Sequence, residues 1–336
     1  MKHINVALFV VHKGCPHTCS FCNQRSITGV QKELTAGDVH SAVKVALESL
    51  SEQQAAGGEI AFFGGSFTMV EPDYMISLLE AAFTYVKNGC FKGIRISTRP
   101  DGITDEICTI LRKYGVTAVE LGAQSLDDKV LYLNERGHTA GQVVEASRML
   151  KAYGFELGLQ MMTGLYGSDD EDCIETAKKI ISLHPETVRI YPTVVLKGTK
   201  LSELAEKGEF TPVGVEHSVE LCSKLIPMFE NEGIKVIRVG LHSGGDVESS
   251  MVGGAFHPAL RELCEGRIYR NNAAVLFDGM EKGDYILTVG KGCTSKMAGQ
   301  KRCNITFLEA MGYNCTVEER EEVEKYKIKV RKKDDT

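Results

Sequence analysis

The chain has 336 residues, 43% of them hydrophobic and 25% charged, and a formal net charge of -6 at pH 7. That length supports one large domain, or a large domain with a small one, and the acidic balance excludes a general attraction to nucleic acid or anionic membrane beyond local basic patches. The first apolar run, "VALFVV", is too short for a signal-peptide core and no stretch approaches the ~20 apolar residues of a membrane span, so a cytoplasmic protein is expected.

From the start to about residue 240, β-type runs alternate with helix-type stretches. "NVALFVV" reads as a strand that runs into "KGCPHTCSFCNQR", where Cys15, Cys19 and Cys22 stand in the order C-x3-C-x2-C. "AGDVHSAVKVALESL" places Val39, Val43, Ala46, Leu47 and Leu50 on one helical stripe. "EIAFF" is an apolar strand ending in Gly64-Gly65, and "EPDYMISLLEAAFTYV" is a helix with Pro72 in its first turn. "GIRIST", "AVELGAQS", "FELGLQMM" and "TVRIYPTVV" read as further strands. Between them "DEICTILRKYG", "GQVVEASRMLKAYG" and "DCIETAKKIISL" read as helices, with Gly115 and Gly154 as left-handed C-terminal caps. "SVELCSKLIPMFENEGIKVIRVGL" adds one more helix and strand.

Strand–helix alternation at this spacing predicts βαβ units and an α/β fold. About six such units precede residue 200, which predicts a full or partial β/α (TIM-like) barrel of about six parallel strands. In such a barrel the loops that follow the strands form one active face. Residues 1–242 are expected to form this domain and 243–336 a small C-terminal α/β extension of unassigned function. The Gly- and Ser-rich "HSGGDVESSMVGGAF" reads as a long loop at the boundary. The loop "HSGGDVESSMVGGAFHP" offers His242, Asp246 and His257 as substrate contacts, against the plainer reading of ordinary loop residues. Within the extension "AAVLF" and "YILTVG" look strand-like, and "EKYKIKV" alternates as a half-buried strand.

Eleven cysteines, mostly scattered singly, suit thiols and metal ligands better than a disulfide framework. Cys90, Cys108, Cys173, Cys222 and Cys264 lie in apolar or helix-like surroundings and read as structural thiols. Cys293, Cys303 and Cys315 are separated by gaps too long for a familiar metal motif. The trio at 15, 19 and 22 admits three readings: structural thiols, a Cys3His zinc site completed by His12 or His17, or an iron–sulfur cluster with one iron left open. Spacing alone does not separate the last two.

The C-x3-C-x-aromatic-C pattern, with Phe21 before Cys22, resembles the signature of the radical S-adenosylmethionine (radical SAM) superfamily. The motif follows the first predicted strand, as that resemblance requires. "FFGGSFT" is similar to the family's Gly-Gly motif. "VELGAQSLDDKVLYLNERGHT" resembles the Elongator catalytic subunit and the oxygen-independent coproporphyrinogen oxidases. "ISTRPDGI", "GHT" and "RIYPTVVLKGTKLSEL" point to the Elongator subunit's radical SAM domain, over roughly residues 5 to 240.

The resemblance implies a [4Fe-4S] cluster held by Cys15, Cys19 and Cys22, whose open iron chelates S-adenosylmethionine. It implies Phe21, Gly64, Gly65 and Ser66 beside that cofactor, with Gln124 and Arg136 as further contacts. Relatives carry a Glu just before the T-R-P segment where this chain has Ser97, and the coproporphyrinogen oxidases have an Asp near the position of Gln160. Both changes remove a carboxylate, and Ser97 and Gln160 are retained as weaker polar contacts. The implied activity is reductive cleavage of S-adenosylmethionine to a 5′-deoxyadenosyl radical that abstracts hydrogen from a substrate, in an oxygen-sensitive enzyme. A low-potential reductant such as ferredoxin or flavodoxin is the implied partner. A tRNA substrate is open by kinship, and a small molecule or peptide is equally open. The tail beyond residue 245 looks too short for the Elongator subunit's acetyltransferase domain. The competing reading is a non-catalytic zinc-binding or RNA-binding module that uses the same cysteines, with "EKYKIKVRKK" as a basic edge.

Overall fold

A computed structural model describes residues 4–10, 14–15, 18–29, 32–241 and 246–333. Seven strands form one parallel sheet: β1 (Asn5–Val10), β2 (Glu59–Gly64), β3 (Gly93–Thr98), β4 (Val116–Gln124), β5 (Glu156–Thr163), β6 (Thr187–Pro192) and, beyond the short β7 (Val194–Leu196), β8 (Lys235–Val239). Their order in the sheet is the order of the chain, β1-β2-β3-β4-β5-β6-β8. Among the described residues β1 and β8 are its two open edges, so this is a partial barrel with seven strands where about six were expected.

The helices form where the apolar periodicity puts them. The helix at Ala36–Ser49 starts on a capping box between Thr35 and Asp38 and buries Val39 and Val43 completely. Pro72 opens the helix Pro72–Lys87, where its missing N–H costs nothing. Gly115 and Gly154 have φ of +71° and +75°, the left-handed geometry expected of them.

Strand boundaries depart from the sequence reading in several places, among them "EKYKIKV", of which only Lys329 and Val330 lie in a strand. "TVRIYPTVV" is not one strand: β6 ends at Pro192, and β7 pairs antiparallel with β9 (Met251–Gly254). The segment read as a long loop therefore contains a strand, and a helical turn at Val247–Ser250 before it. Its Val247 packs with Val194 and Leu196 in a small apolar cluster. A local scan misses this because Gly253 and Gly254 signal a turn, whereas here Gly254 lets the backbone approach β7. A Cβ on Gly254 would stand 2.4 Å from the Thr193 carbonyl oxygen.

The described chain divides into two compact units, Met1–Val213 with Phe229–Phe256, and Gly214–Met228 with His257–Thr336. In the second unit β10 (Gly283–Gly290) lies between β11 (Tyr313–Arg320), parallel to it, and β12 (Lys329–Lys332), antiparallel. "AAVLF" is not a strand there but the end of the helix Leu260–Leu276. Ala273 and Phe277 bury their side chains against Tyr285 and Tyr313, and Phe277 stacks on Tyr313 at 4.2 Å. A short apolar run reads alike in a buried helix and a buried strand. Cys293 and Cys315 are buried in this core and Cys303 is exposed.

The interior of the sheet carries charge where the strands read as apolar. Strand partners share a face, and the register pairs Ser97 with Glu120, Gly122 with Gln160, Gln160 with Arg189, and Arg189 with Arg238. On that concave face Arg95, 1% exposed, bonds Glu59 at 2.7 Å and Glu156 at 2.6 Å. Its neighbour Glu120 is held in a two-pronged grip by Arg189, at 2.6 and 2.8 Å. A Cβ at Gly158 would meet the Glu120 side chain at 2.8 Å, so glycine there leaves room for the carboxylate. Charges this deep are tolerated because they are paired and hydrogen-bonded. Glu120→Ala strands Arg189 and Arg95 without that counterion and should cost about 3–5 kcal/mol. Urea unfolding of the two proteins measures it, and a loss below ~1 kcal/mol would contradict the burial of this pair.

Candidate functional site

The C-terminal ends of the strands open on one cavity of about 640 Å³. Cys15, Cys19 and Cys22 line it together with Phe21, the Gly64-Gly65-Ser66 turn, Ser97, Gln124, Arg136 and Gln160. The eleven residues expected at the cluster and its cofactor therefore line one cavity, whereas the loop candidates Asp246 and His257 do not.

The cysteine loop reaches this position by contacts to distant parts of the chain. Gly14 has φ +76°, and a Cβ on it would fall 2.1 Å from the Ser66 carbonyl oxygen, so loop and double-glycine turn touch through a bare backbone. Cys15 Sγ lies 3.3 Å from Ser66 Oγ. Gly65 N donates to Val10 O at 2.6 Å, and a Cβ on Gly64 (φ +106°) would stand 2.9 Å from the same oxygen. Farther along, Ser20 donates from both its N and its Oγ to Asn134, and Leu201 N donates to Ser20 O at 2.9 Å.

Arg136 faces the loop from the turn that follows the helix Asp128–Leu133. Nη1 donates to Cys19 Sγ at 3.1 Å and Nη2 donates to the Gly122 carbonyl at 2.6 Å. Gly122 permits this, since a Cβ there would crowd Arg136 Nη2 to 3.3 Å. The Arg136 guanidinium also lies 5.9 Å from the Phe21 ring centre. Gln124 ends β4 in a left-handed conformation, φ +65°, where the register with β5 shifts. Strain of this kind in a non-glycine residue costs on the order of 1 kcal/mol and needs surrounding structure to hold it. Gln124 Oε1 and Arg136 Nε are buried without a hydrogen-bond partner among the described residues.

Ser97 and Gln160 stand on either side of Glu120, which supplies a carboxylate from the strand between them. Gln160 Nε2 donates to Glu120 Oε2 at 2.9 Å and to Ser97 Oγ at 3.2 Å. A carboxylate only accepts, so the amide must turn its NH2 to Glu120, leaving its oxygen as the free end.

Sequence reasoning missed Arg99, Arg189, Tyr191 and Arg238, all on the cavity wall. The available signal was a charge inside an apolar strand, as in "VRIYP" and "VIRVG". Arg99 makes a two-pronged pair with Asp101 at 2.9 and 2.8 Å and donates to the Arg136 carbonyl. Burial opposes the Arg99 charge, but Asp101 outweighs it and holds the group above its ordinary range. Of the loop candidates, His257 accepts from Ala259 N at 3.1 Å, Asp246 N donates to Ser26 O, and His242 lies outside the described residues.

The residues fit an iron–sulfur cluster with a cofactor beside it. Three thiols open on the cavity, a glycine turn offers bare backbone, and orphaned polar atoms of Gln124 and Arg136 await partners. Among the described residues no three His, Cys, Asp or Glu side chains converge as ligands of a single ion. A cubane held by one thiolate per iron spreads its ligands more widely than one tetrahedral ion does. His12 and His17, the histidines of the zinc alternative, lie outside the described residues.

Comparison with known proteins agrees with this geometry. The sequence model of the radical SAM superfamily matches residues 9–180, and that of the radical SAM C-terminal domain matches residues 185–270. The chain belongs to the radical SAM superfamily, whose members bind a [4Fe-4S] cluster and S-adenosylmethionine and carry out radical chemistry, and it is an enzyme of that class. It is 36% identical over 131 residues to a tRNA uridine(34) acetyltransferase of Methanocaldococcus infernus, covering 38% of this chain and 24% of that protein. It is 28% identical over 230 residues to human Elongator complex protein 3, covering 62% of this chain and 41% of that protein. The chain thus spans less than half the length of these two relatives. The solved structure of archaeal Elp3 from Methanocaldococcus infernus, with its N-terminus deleted, shares the fold at a TM-score of 0.64 and 21% identity, covering 80% of this chain and 63% of that chain. Among the described residues no helix is long and apolar enough to cross a membrane.

His138, two residues past Arg136, stays neutral at neutral pH. Burial, then the charges of Arg136 and Arg99, push its pKa down from the ordinary 6.5 to about 4. Its Nε2 meets the Ala123 carbonyl at 3.3 Å, so Nε2 is the protonated nitrogen and Nδ1 the bare one. A depressed native pKa means the unfolded chain binds more protons between pH 4 and 6.5. Stability is therefore full above about pH 6.5 and falls by up to ~3 kcal/mol as pH drops through about 4. His138→Gln should flatten that limb of the stability–pH curve, and parallel curves for the two proteins would refute the assignment.

Proposed function

We propose that Cys15, Cys19 and Cys22 hold a [4Fe-4S] cluster and that S-adenosylmethionine binds next to it, against Phe21, the Gly64-Gly65-Ser66 turn, Gln124 and Arg136. Bound there, these groups supply one-electron cleavage of the sulfonium and abstraction of a hydrogen atom from the substrate. The supporting observation is the shared cavity: three thiols, a bare-backbone turn and two orphaned polar groups face the same space. Arg136 steadies the Cys19 sulfur through its Nη1 contact. Gln124 Oε1 and the Gln160 oxygen offer acceptors for ammonium or hydroxyl hydrogens, and Ser97 supports Gln160. The apolar ring of Phe21 and the Ile27, Val194 and Leu196 side chains shield the site from water.

In this reading residues 1–242 carry the chemistry and 243–336 are an extension to it. A ferredoxin- or flavodoxin-type protein donates the electron, and the likeness to a tRNA uridine(34) acetyltransferase makes tRNA a substrate to test. The "EKYKIKVRKK" edge argues little for RNA, since Lys325 and Lys332 pair with Glu265 and Glu281.

Anaerobic protein reconstituted with iron and sulfide should show a reducible cluster and release 5′-deoxyadenosine with S-adenosylmethionine and dithionite. Cys15→Ala should abolish that release, and undiminished release would refute the ligand assignment. Arg136→Met removes a charge-assisted hydrogen bond to a cluster sulfur and should lower the cluster's midpoint potential. Potentiometry reads this directly, and an unchanged potential would place Arg136 away from the cluster.

A further inference from the structure

Two arginines stand side by side on the cavity wall, and among the described residues only one has a counterion. Arg189 and Arg238 are register partners on β6 and β8, so their side chains leave the same face, and both line the cavity. Arg189 is committed: both prongs of its guanidinium grip Glu120, and the group lies 5.0 Å from the Phe63 ring centre. Burial works against its charge, but Tyr191 and Glu120 outweigh that and hold it above the ordinary range. Arg238 has no carboxylate partner among the described residues. Among the described residues its one hydrogen bond runs from Nε to the Gly240 carbonyl at 3.1 Å. Burial holds it below the ordinary arginine range, Tyr191 opposes that, and the like charge of Arg189 adds to it. A half-buried cation beside another cation is unfavourable until negative charge arrives.

We propose that Arg238 binds an oxyanion, a carboxylate or a phosphate, on the substrate that occupies the β6–β8 side of this cavity. Pro192, at the end of β6, and Leu241, just past β8, also line the cavity and give an apolar wall for the body of that molecule. The inferred substrate class is an amphipathic anion, with the charged head on Arg238 and the reacting carbon nearer the cofactor. Arg189 cannot serve in its place, because releasing it would strand Glu120. This inference rests on the reading that S-adenosylmethionine fills the opposite, cysteine-lined side.

Pentanoate and monobutyl phosphate carry the same butyl chain and differ in the head, so they separate the two oxyanions. Reconstituted protein, with S-adenosylmethionine present to fill the cofactor side, is titrated with each by calorimetry at constant ionic strength. At least one should bind saturably with a Kd on the order of 1 mM or below, and the tighter one identifies the head. Arg238→Met should weaken it by about tenfold or more, and Arg238→Lys by a smaller factor, about threefold, because charge is kept and the fork lost. No saturable binding to the wild type overturns the proposal, as does equal binding by a folded Arg238→Met protein. If Arg238→Met does not fold, unchanged affinity in Arg238→Lys overturns it. Release of 5′-deoxyadenosine without an Arg238-dependent anion site sinks this inference alone. An anion site in a protein that never releases 5′-deoxyadenosine sinks the cofactor reading instead.

Discussion

Glu120 and Arg189, locked together on the concave face of the sheet, set the terms for the cavity above them. Removing two charges from water costs several kcal/mol for each, and only a paired, hydrogen-bonded geometry returns it. The two-pronged contact meets that condition. Several neighbouring features follow from it. Gly158 leaves room for the carboxylate. Gln160 must turn its NH2 toward Glu120, which frees its oxygen and ties Ser97 into the same network. Arg189 is neutralised, so its register partner Arg238 is left as the cation without a counterion among the described residues.

The cysteine loop shows the opposite economy. Among the described residues between β1 and the helix at Ala36–Ser49, regular structure is limited to the short helix Gln24–Thr28. Contacts from three directions hold it instead: the Ser66 backbone against Gly14, Asn134 against Ser20, and Leu201 on the Ser20 carbonyl. Each comes from a loop or helix that follows a different strand. Presentation of the thiols is thus a property of the assembled sheet. The surrounding charge is arranged with care for sign: Arg136 touches the Cys19 sulfur, Arg99 backs Arg136, and His138 is kept neutral by both.

Much of this was legible in the chain. The strands from β1 to β6 and β8 fall where apolar runs predict them, and the helices start at their capping residues. The cysteine trio, the double glycine, Gln124 and Arg136 announce themselves as motifs. Where the reading failed, the signal was ambiguous or absent locally. "AAVLF" has the same composition whether it ends a helix or forms a strand, and only packing against Tyr285 and Tyr313 decides. β9 hides in a glycine-rich stretch because its partner β7 lies more than fifty residues away.

The sequence by itself determined the alternation of strand and helix, and the chemistry available at the cysteine loop. Both are written in short-range spacing: a period of two or of about 3.6, and three thiols within eight residues. The tertiary structure alone decided which charges share a face and which cancel. Glu120 and Arg189 are 69 residues apart, and Arg189 and Arg238 are neighbours only because β6 pairs with β8. A side chain's period tells which way it points along its own strand; the identity of its partner depends on register between strands, which no local pattern encodes.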